Sequence, residues 1–376
     1  VKIFSLSRVV PFLLFICTVV CAVPVSAGTA PIGVSAKSAV LVEGDSGHIV
    51  WSKNSGEKLP MASTTKIMTA LVAIENYSDL DAMVKINGKA CGVEGSSVYL
   101  KAGEELTMRQ LLQALLLESA NDAACAIAIE VAGSVEKFAV LMNETAKRLE
   151  MNSSHFTNPH GLDHEEHYTT AEDMAKLTVA ALKNKDFAEI VSTYKTTIPL
   201  NGDEGTRLLL NHNKLLKYYD GAVGVKTGFT KRSGRCLVSA AVRDGVTMIA
   251  VTLSAPDDWN DHRAMLDFGF SAYRHIDAAS PGSVSHSIPV SRGSIPSVTV
   301  KNRDSFGLSM PNDSPEIRCV IEAPRFIIAP VKKDDVLGYA CYYLGNEEVA
   351  RLPLYAECGC DRLKDPSLLD KILRLF

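Results

Sequence analysis

The sequence predicts an α/β layered domain, built from an antiparallel sheet and a cluster of helices, followed by a small all-β domain. Three observations carry this. Strand-like hairpins stand near both ends of the first 275 or so residues, at 38–52 and 234–254, with helical patterns between them. One of those helical stretches, Met108-Arg-Gln-Leu-Leu-Gln-Ala-Leu-Leu-Leu117, is apolar nearly all round and so belongs inside a core. After Ala278 the helical period disappears, and short Ser-, Pro-, Val- and Ile-rich runs take over.

In order, Ala39-Val-Leu-Val42 and Ile49-Val-Trp51 flank a Gly-Asp-Ser-Gly turn, a hairpin signal. Ser63 to Asn76 reads as the first long helix. Asp79 to Glu105 is mixed, with Ser97-Val-Tyr-Leu100 as a short strand-like piece. A helix over Thr107–Glu118 is followed by an Ala-rich one that stops at Gly133. Ser134 caps a fourth, ending near Met151, and Thr170 starts a fifth over 171–183. Strand-like runs follow at 196–200 and 207–210. Strands at 234–242 and 246–254 are joined by Asp244-Gly245, and His262–Tyr273 closes the region as a helix. Beyond it, strands are expected at 285–290, 297–300, 316–321, 336–344 and 348–354.

With 376 residues the chain suits two domains, and 47% apolar residues supply a large core. A net charge of −4 without a long charge run argues against nucleic acid as the main partner. Lys2 and Arg8 precede an apolar run, Val9–Val23, too short for a comfortable membrane span, and Val25-Ser26-Ala27 fits a small-residue cleavage rule. Residues 1–27 therefore read as a signal peptide, with a retained membrane anchor as the alternative. Removal of the leader takes Cys17 and Cys21 and leaves seven cysteines, an odd number that cannot all pair within one chain. Cys125 and Cys236 lie in apolar segments and read as small hydrophobes. No histidine lies near Cys358-Gly-Cys360, so no metal site is assigned. The expected division is 28–278 catalytic, 279–360 all-β and 361–376 a short tail. In that tail Leu368, Leu369, Ile372, Leu373 and Phe376 form one stripe opposite Asp370, Lys371 and Arg374. The stripe suits weak contact with a membrane surface, or docking on the protein itself.

The chemistry centres on Ser63-Thr-Thr-Lys66. Side chains three apart on a helix share a face. A serine hydroxyl is a poor nucleophile until a base takes its proton, and a lysine one turn away can do so when its amine is neutral. Burial and a second nearby cation both favour the neutral amine. Ser-x-x-Lys also occurs at Ser134–Lys137 and Ser192–Lys195, so the pair alone is not specific. Two further motifs follow in order, Ser119-Ala-Asn121 and Lys226-Thr-Gly228. Ser119 comes after the core helix and can relay a proton to a leaving amine. Asn121 can hold Lys66 and the substrate. Lys226 supplies the second cation, Thr227 a hydroxyl for a carboxylate, and Gly228 room for an extended peptide. The backbone N–H groups of Ser63 and Phe229 would form an oxyanion hole.

The three motifs together are those of penicillin-binding proteins and related β-lactamases. The chain resembles the serine-type D-alanyl-D-alanine carboxypeptidases, the low-molecular-mass penicillin-binding proteins. Lys58-Leu-Pro-Met-Ala-Ser-Thr-Thr-Lys-Ile-Met-Thr-Ala70 carries the resemblance, with Phe156-x-Asn-Pro-x-Gly-Leu162, His167-Tyr-Thr-Thr-Ala-Glu-Asp-Met-Ala175 and Gly224-Val-Lys-Thr-Gly-Phe-Thr230. It covers 36–273 strongly and the rest more loosely. It implies a transpeptidase/β-lactamase-like fold and location outside the cytoplasmic membrane. It also implies hydrolysis of the terminal D-alanine of peptidoglycan stem peptides through an acyl-Ser63, inhibition by penicillins, and no metal or organic cofactor. Family members usually carry an arginine ahead of the last helix of this region, for the substrate carboxylate. Here the stretch reads Asp257-Asp-Trp-Asn-Asp-His-Arg263, and Arg263 is the nearest candidate. A β-lactamase is the rival reading, but the middle motif is Ser-Ala-Asn and no glutamate motif for deacylation stands out. A non-catalytic penicillin-sensing or wall-binding protein is disfavoured by the intact Ser63, Lys66, Ser119 and Lys226.

Overall fold

The computed structural model describes residues 32–200 and 205–363, so the leader and residues 364–376 of the tail lie outside the described residues. β1 (Ser38–Glu43) and β2 (Ile49–Lys53) form the expected hairpin. The first helix differs from expectation in its opening turn. Residues 62–65 form a 3₁₀ turn, and only then does α1 (Lys66–Asn76) begin. This matters for the chemistry, because at three residues per turn the side chains at i and i+3 eclipse.

A two-stranded ladder of β3 (Met83–Lys85) and β4 (Glu105–Thr107) leads into α2 (Met108–Leu116). A capping box between Thr107 and Gln110 starts α2. α3 (Asn121–Ala132) ends on Gly133 at φ +81°, the left-handed stop expected of that glycine. Ser134 caps α4 (Val135–Arg148) through the Lys137 N–H, so that Ser-x-x-Lys match is a helix cap. Thr170 caps α5 (Ala171–Leu182). The sequence reading passes over α6 (Lys185–Ser192). It is only eight residues long, and it is held by the Asn184 cap and the burial of Phe187, Ile190 and Val191. The strand expected at 97–100 is absent. The buried Asp122 carboxylate takes the N–H groups of Val98 and Leu100 and the Ser97 hydroxyl, which bends that segment into a loop.

β5 (Lys195–Pro199) and β6 (Thr206–Leu210) pair antiparallel, and the short α7 (Leu215–Tyr218) leads to β7 (Ala222–Thr230), β8 (Gly234–Arg243) and β9 (Val246–Leu253). The main sheet is fully antiparallel in the order β2-β1-β9-β8-β7, which leaves β7 on an edge. Its strands alternate between two cores. Val40, Val42, Val238, Ile249 and Val251 face the helical cluster of α1–α6. Ala39, Leu41, Leu237, Met248 and Ala250 face α8 (Asp258–Ala272). The result is helix, sheet and helix in three layers.

α8 begins four residues earlier than expected, at Asp258. Its rotation is set by His262, fully buried between the Ser239 hydroxyl and Thr252 Oγ1, the latter 2.9 Å from Nε2. Met265 and Leu266 face inward with it, so Arg263 faces solvent.

α8 runs directly into β10 (Tyr273–Ala279), which pairs with β13 (Phe306–Pro311). β11 (Ser285–Ser291), β12 (Ser297–Asn302), β14 (Ile317–Glu322), β15 (Ile327–Ile328), β16 (Val336–Leu344) and β17 (Glu347–Ala356) form a six-stranded sheet ordered β14-β16-β17-β12-β11-β15. Five of these strands are the ones expected from sequence. β10, β13 and β15 are additional to those the sequence predicts.

Candidate active site

The loop–helix junction at Pro60–Lys66 packs against edge strand β7, and the two carry the first and third motifs. Lys66 is fully buried, and its amine has three partners: Ser63 Oγ at 2.9 Å, Asn121 Oδ1 at 2.8 Å and the His160 carbonyl at 2.6 Å. A neutral amine has two N–H donors and one lone pair. Asn121 and His160 take the two hydrogens, and the lone pair is left for the Ser63 O–H. Burial pushes the Lys66 amine well below its usual range, and the Lys226 charge adds to this. The eclipsed geometry of the 3₁₀ turn makes the Ser63–Lys66 contact direct.

The surroundings hold this triangle in place. Asn121 is fixed by its own amide, which donates to the Glu94 carbonyl at 2.6 Å, and by its backbone N–H on the Ser96 carbonyl at 2.7 Å. The His160 carbonyl is aimed by a turn in which Asn158 Oδ1 accepts the Gly161 N–H at 2.7 Å. Gly161 lies at φ +88°, and a Cβ there would stand 2.0 Å from the Ala62 carbonyl oxygen, so no side chain fits. Ala62 and Ser119, beside and at the two hydroxyl positions, adopt left-handed backbone at φ +47° and +62°. Such strain in non-glycine residues clusters at functional sites.

From β7, Lys226 is 1% exposed, and its amine donates to the Thr227 carbonyl at 3.1 Å. Burial lowers its pKa to about 7, with Glu118 acting in the opposite direction. Gly228 lets the strand approach the nucleophile: a Cβ there would lie 3.0 Å from the Ser63 nitrogen and 3.1 Å from that of Thr64. A cleft of about 430 Å³ opens above, lined by Ser63, Ser96, Ser119, His212, Lys214, Thr227, Gly228, Phe229, Arg235, Asp258 and Trp259. Lys66 and Asn121 lie beneath it, buried. Thus Ser63, Lys66, Ser119, Asn121, Lys226, Thr227, Gly228 and Phe229 are brought together at one place.

Arg263 is not among the residues lining the cleft; it is exposed on the outer face of α8. The guanidinium at the cleft belongs to Arg235. Its β8 position pairs with Phe229 on β7, and Nε lies 3.0 Å from Asp258 Oδ1 in the first turn of α8. Asp258 is 3% exposed. The hairpin register shows this arginine in the sequence: one tight turn, 231–233, separates Lys-Thr-Gly-Phe-Thr from Gly-Arg, which places Arg235 across from Phe229. Among the described residues no cluster of three His, Cys, Asp or Glu side chains could hold a metal ion. The seven described cysteines are free, with Cys125 and Cys236 buried.

The sequence pattern of the peptidase S11 family, D-alanyl-D-alanine carboxypeptidase, matches residues 25–257. The chain belongs to this family. It is 32% identical over 338 residues to the D-alanyl-D-alanine carboxypeptidase DacF of Bacillus subtilis, covering 88% of this chain and 87% of that one. The crystal structure of penicillin binding protein 5 from Haemophilus influenzae matches 89% of this chain and 100% of its own, with a TM-score of 0.65 at 25% identity. A peptidoglycan synthesis regulatory factor from Streptococcus pneumoniae shares the fold, with a TM-score of 0.70 over 88% of this chain and 100% of its own at 24% identity. At 89% and 88% of this chain, both structural matches extend past the first region into the β-rich part.

Proposed function

We propose that this D-alanyl-D-alanine carboxypeptidase removes the terminal D-alanine of peptidoglycan stem peptides through an acyl-Ser63 intermediate. The observation that carries the reading is the buried Lys66 amine, whose third partner is the Ser63 hydroxyl at 2.9 Å. Lys66 takes the Ser63 proton as Ser63 Oγ bonds to the carbonyl carbon between the two D-alanines. The resulting oxyanion is met by the N–H groups of Ser63 and Phe229. The proton on Lys66 passes through Ser119 to the departing nitrogen, the C–N bond breaks and D-alanine leaves. Water then attacks the ester and gives one proton to Lys66, and Ser63 recovers its own. The peptide lies along the free edge of β7 as an added strand.

For the substrate carboxylate, Arg235 takes the place of the Arg263 expected from sequence, beside the expected Thr227. Arg235 lines the cleft and can turn a fork of donors to an anion, while Asp258 keeps it from swinging into solvent. Penicillins would acylate the same hydroxyl. Catalysis belongs to residues 28–278, and residues 279–360 form the all-β domain that follows. Residues 1–27 direct export, and the striped tail makes weak contact with the outer face of the cytoplasmic membrane. The test is D-alanine release from a D-alanyl-D-alanine peptide by the leaderless chain. Release that disappears in Ser63→Ala supports the assignment, and unchanged release in that variant refutes it.

A further inference from the structure

The proposed chemistry asks two things of Ser63: a hydroxyl as nucleophile and a backbone N–H as oxyanion donor. Lys66 prepares the hydroxyl. The N–H is one half of the Ala62–Ser63 peptide group. That group is planar and trans, so its C=O and N–H point in opposite directions. Whatever aims the Ala62 carbonyl therefore aims the Ser63 N–H. Ala62 needs holding, because φ +47° is strained for a residue with a Cβ.

The Ala62 carbonyl is held from two sides. Gly161 packs so closely that a Cβ there would stand 2.0 Å from the oxygen. Thr65 Oγ1 donates to it at 2.8 Å. The same hydroxyl lies 2.8 Å from Nε2 of His167. Thr65 is 0% exposed and His167 3%. The other ring nitrogen, Nδ1, accepts the Thr157 N–H at 3.1 Å and lies 3.4 Å from Thr157 Oγ1, which itself accepts from Asn158 Nδ2.

These contacts decide the tautomer. A backbone N–H only donates, so Nδ1 is bare and the single proton of the neutral ring sits on Nε2. Nε2–H donates to Thr65 Oγ1, and the Thr65 proton is left for the Ala62 oxygen. Burial keeps the ring neutral, lowering its pKa to about 3, and His160, His155, His164 and Lys66 act in the same direction. The ring is also fixed in place. The residues after it, Tyr168 and Thr169, exchange backbone hydrogen bonds with His155 and Leu59, and Phe156 packs edge-on at 5.8 Å.

We propose that His167 is a positioning residue for the oxyanion hole: it directs the Thr65 hydroxyl onto the Ala62 carbonyl and so aims the Ser63 N–H. The inference rests on acylation at Ser63. His167 itself is not among the residues lining the cleft.

Two substitutions separate the two ends of the ring. Gln at 167 places an amide donor where Nε2 stands and keeps the link to Thr65. Asn, one carbon shorter, keeps an acceptor near Thr157 and loses Thr65. Thr65→Val removes the middle of the chain at similar volume.

The experiment measures kcat and KM for an acylated D-alanyl-D-alanine peptide. It also measures inhibition by a boronic acid analogue, whose boron bonds to Ser63 Oγ and sets a hydroxyl in the oxyanion hole. Thermal unfolding is recorded for every variant. His167→Asn and Thr65→Val should each lower kcat roughly ten- to a hundredfold and weaken the boronic acid in step. KM should move by less than about threefold. The double variant should lose no more than either single one, since both cut one chain. His167→Gln should recover most of kcat. Nitrogen-15 NMR of the wild-type imidazole should show a protonated Nε2 and a bare Nδ1. The proposal is overturned if Asn and Gln lose alike, if the single losses multiply in the double variant, if boronic acid affinity holds while kcat falls, or if the proton is on Nδ1. Should the Asn variant fold poorly, Thr65→Val and the NMR spectrum keep the test open. The spectrum also reads out in a chain that releases no D-alanine, so failure of the carboxypeptidase reading is told apart from failure of the His167 assignment.

Discussion

The catalytic region and the β-rich region bury different things. Around the cleft the structure buries Lys66, Lys226, Asn121, Asp122 and Asp258, each tied to specific partners. From Tyr273 onward, Asn302 is the only buried polar residue among the described residues. The β-rich region instead packs Ile288, Val300, Ala340, Tyr342 and Leu354 and keeps its ion pairs at the surface, such as Arg351 with Glu322 and Glu348. Buried charge costs stability unless it is well paired, and replacing it with apolar groups is often stabilising. The cleft region retains two nearly inaccessible lysines at that cost, which is what the proposed chemistry requires, and the β-rich region carries no such burden.

The comparison predicts where substitutions hurt. The largest loss is in the cleft: Ser63→Ala should reduce D-alanine release by at least about 10⁴-fold while the far-ultraviolet circular dichroism is unchanged. Lys66→Ala removes the base and should cost on the order of 10²–10⁴-fold in kcat.

Lys226→Met separates activity from stability. It should nearly abolish turnover yet raise stability at pH 7 by about 1–4 kcal/mol in denaturant unfolding. The gain has a definite pH dependence. The folded pKa of Lys226 is about 7 against 10.5 for an ordinary lysine. Between these values the unfolded chain binds a proton that the folded chain lacks, so wild-type stability rises with pH across that window. The advantage of Met should be greatest at and below about pH 7 and fade towards about pH 10.5. A gain that grows with pH would contradict the burial argument.

Arg235→Ala should cost about ten- to a hundredfold in kcat/KM for peptides with a free carboxylate and little for amide-ended analogues, whereas Arg263→Ala should stay within about 0.5 kcal/mol on both. The smallest effect belongs to the β-rich region, where Arg351→Ala should change unfolding free energy by less than about 1 kcal/mol and leave kinetics untouched.

What the sequence showed, and what it hid, divides along physical lines. Hydrophobic period located α1 to α5, the β8–β9 hairpin and five strands of the β-rich sheet, because burial repeats at a fixed spacing in each. Three ordered motifs bring Ser63, Ser119 and Lys226 together from sequence alone. The 3₁₀ turn at 62–65 and the loop at 97–100 were not legible, since both depend on partners distant in the chain, Gly161 against Ala62 and Asp122 beneath Val98. Arg263 falls outside the cleft because α8 begins four residues before the start that the hydrophobic pattern predicts. With Asp258 as the first helical residue and His262 turned inward, Arg263 must face out. The His160 carbonyl was invisible for a simpler reason: backbone acceptors have no residue signature.

The central claim is that Ser63, prepared by a neutral Lys66, is the acylated nucleophile. The most direct measurement is peptide mapping by mass spectrometry after brief exposure of the leaderless protein to a penicillin. The account predicts one adduct of intact penicillin mass per chain, confined to the tryptic peptide Leu59–Lys66 and absent in Ser63→Ala. An adduct on any other peptide, or one that persists in Ser63→Ala, would contradict it.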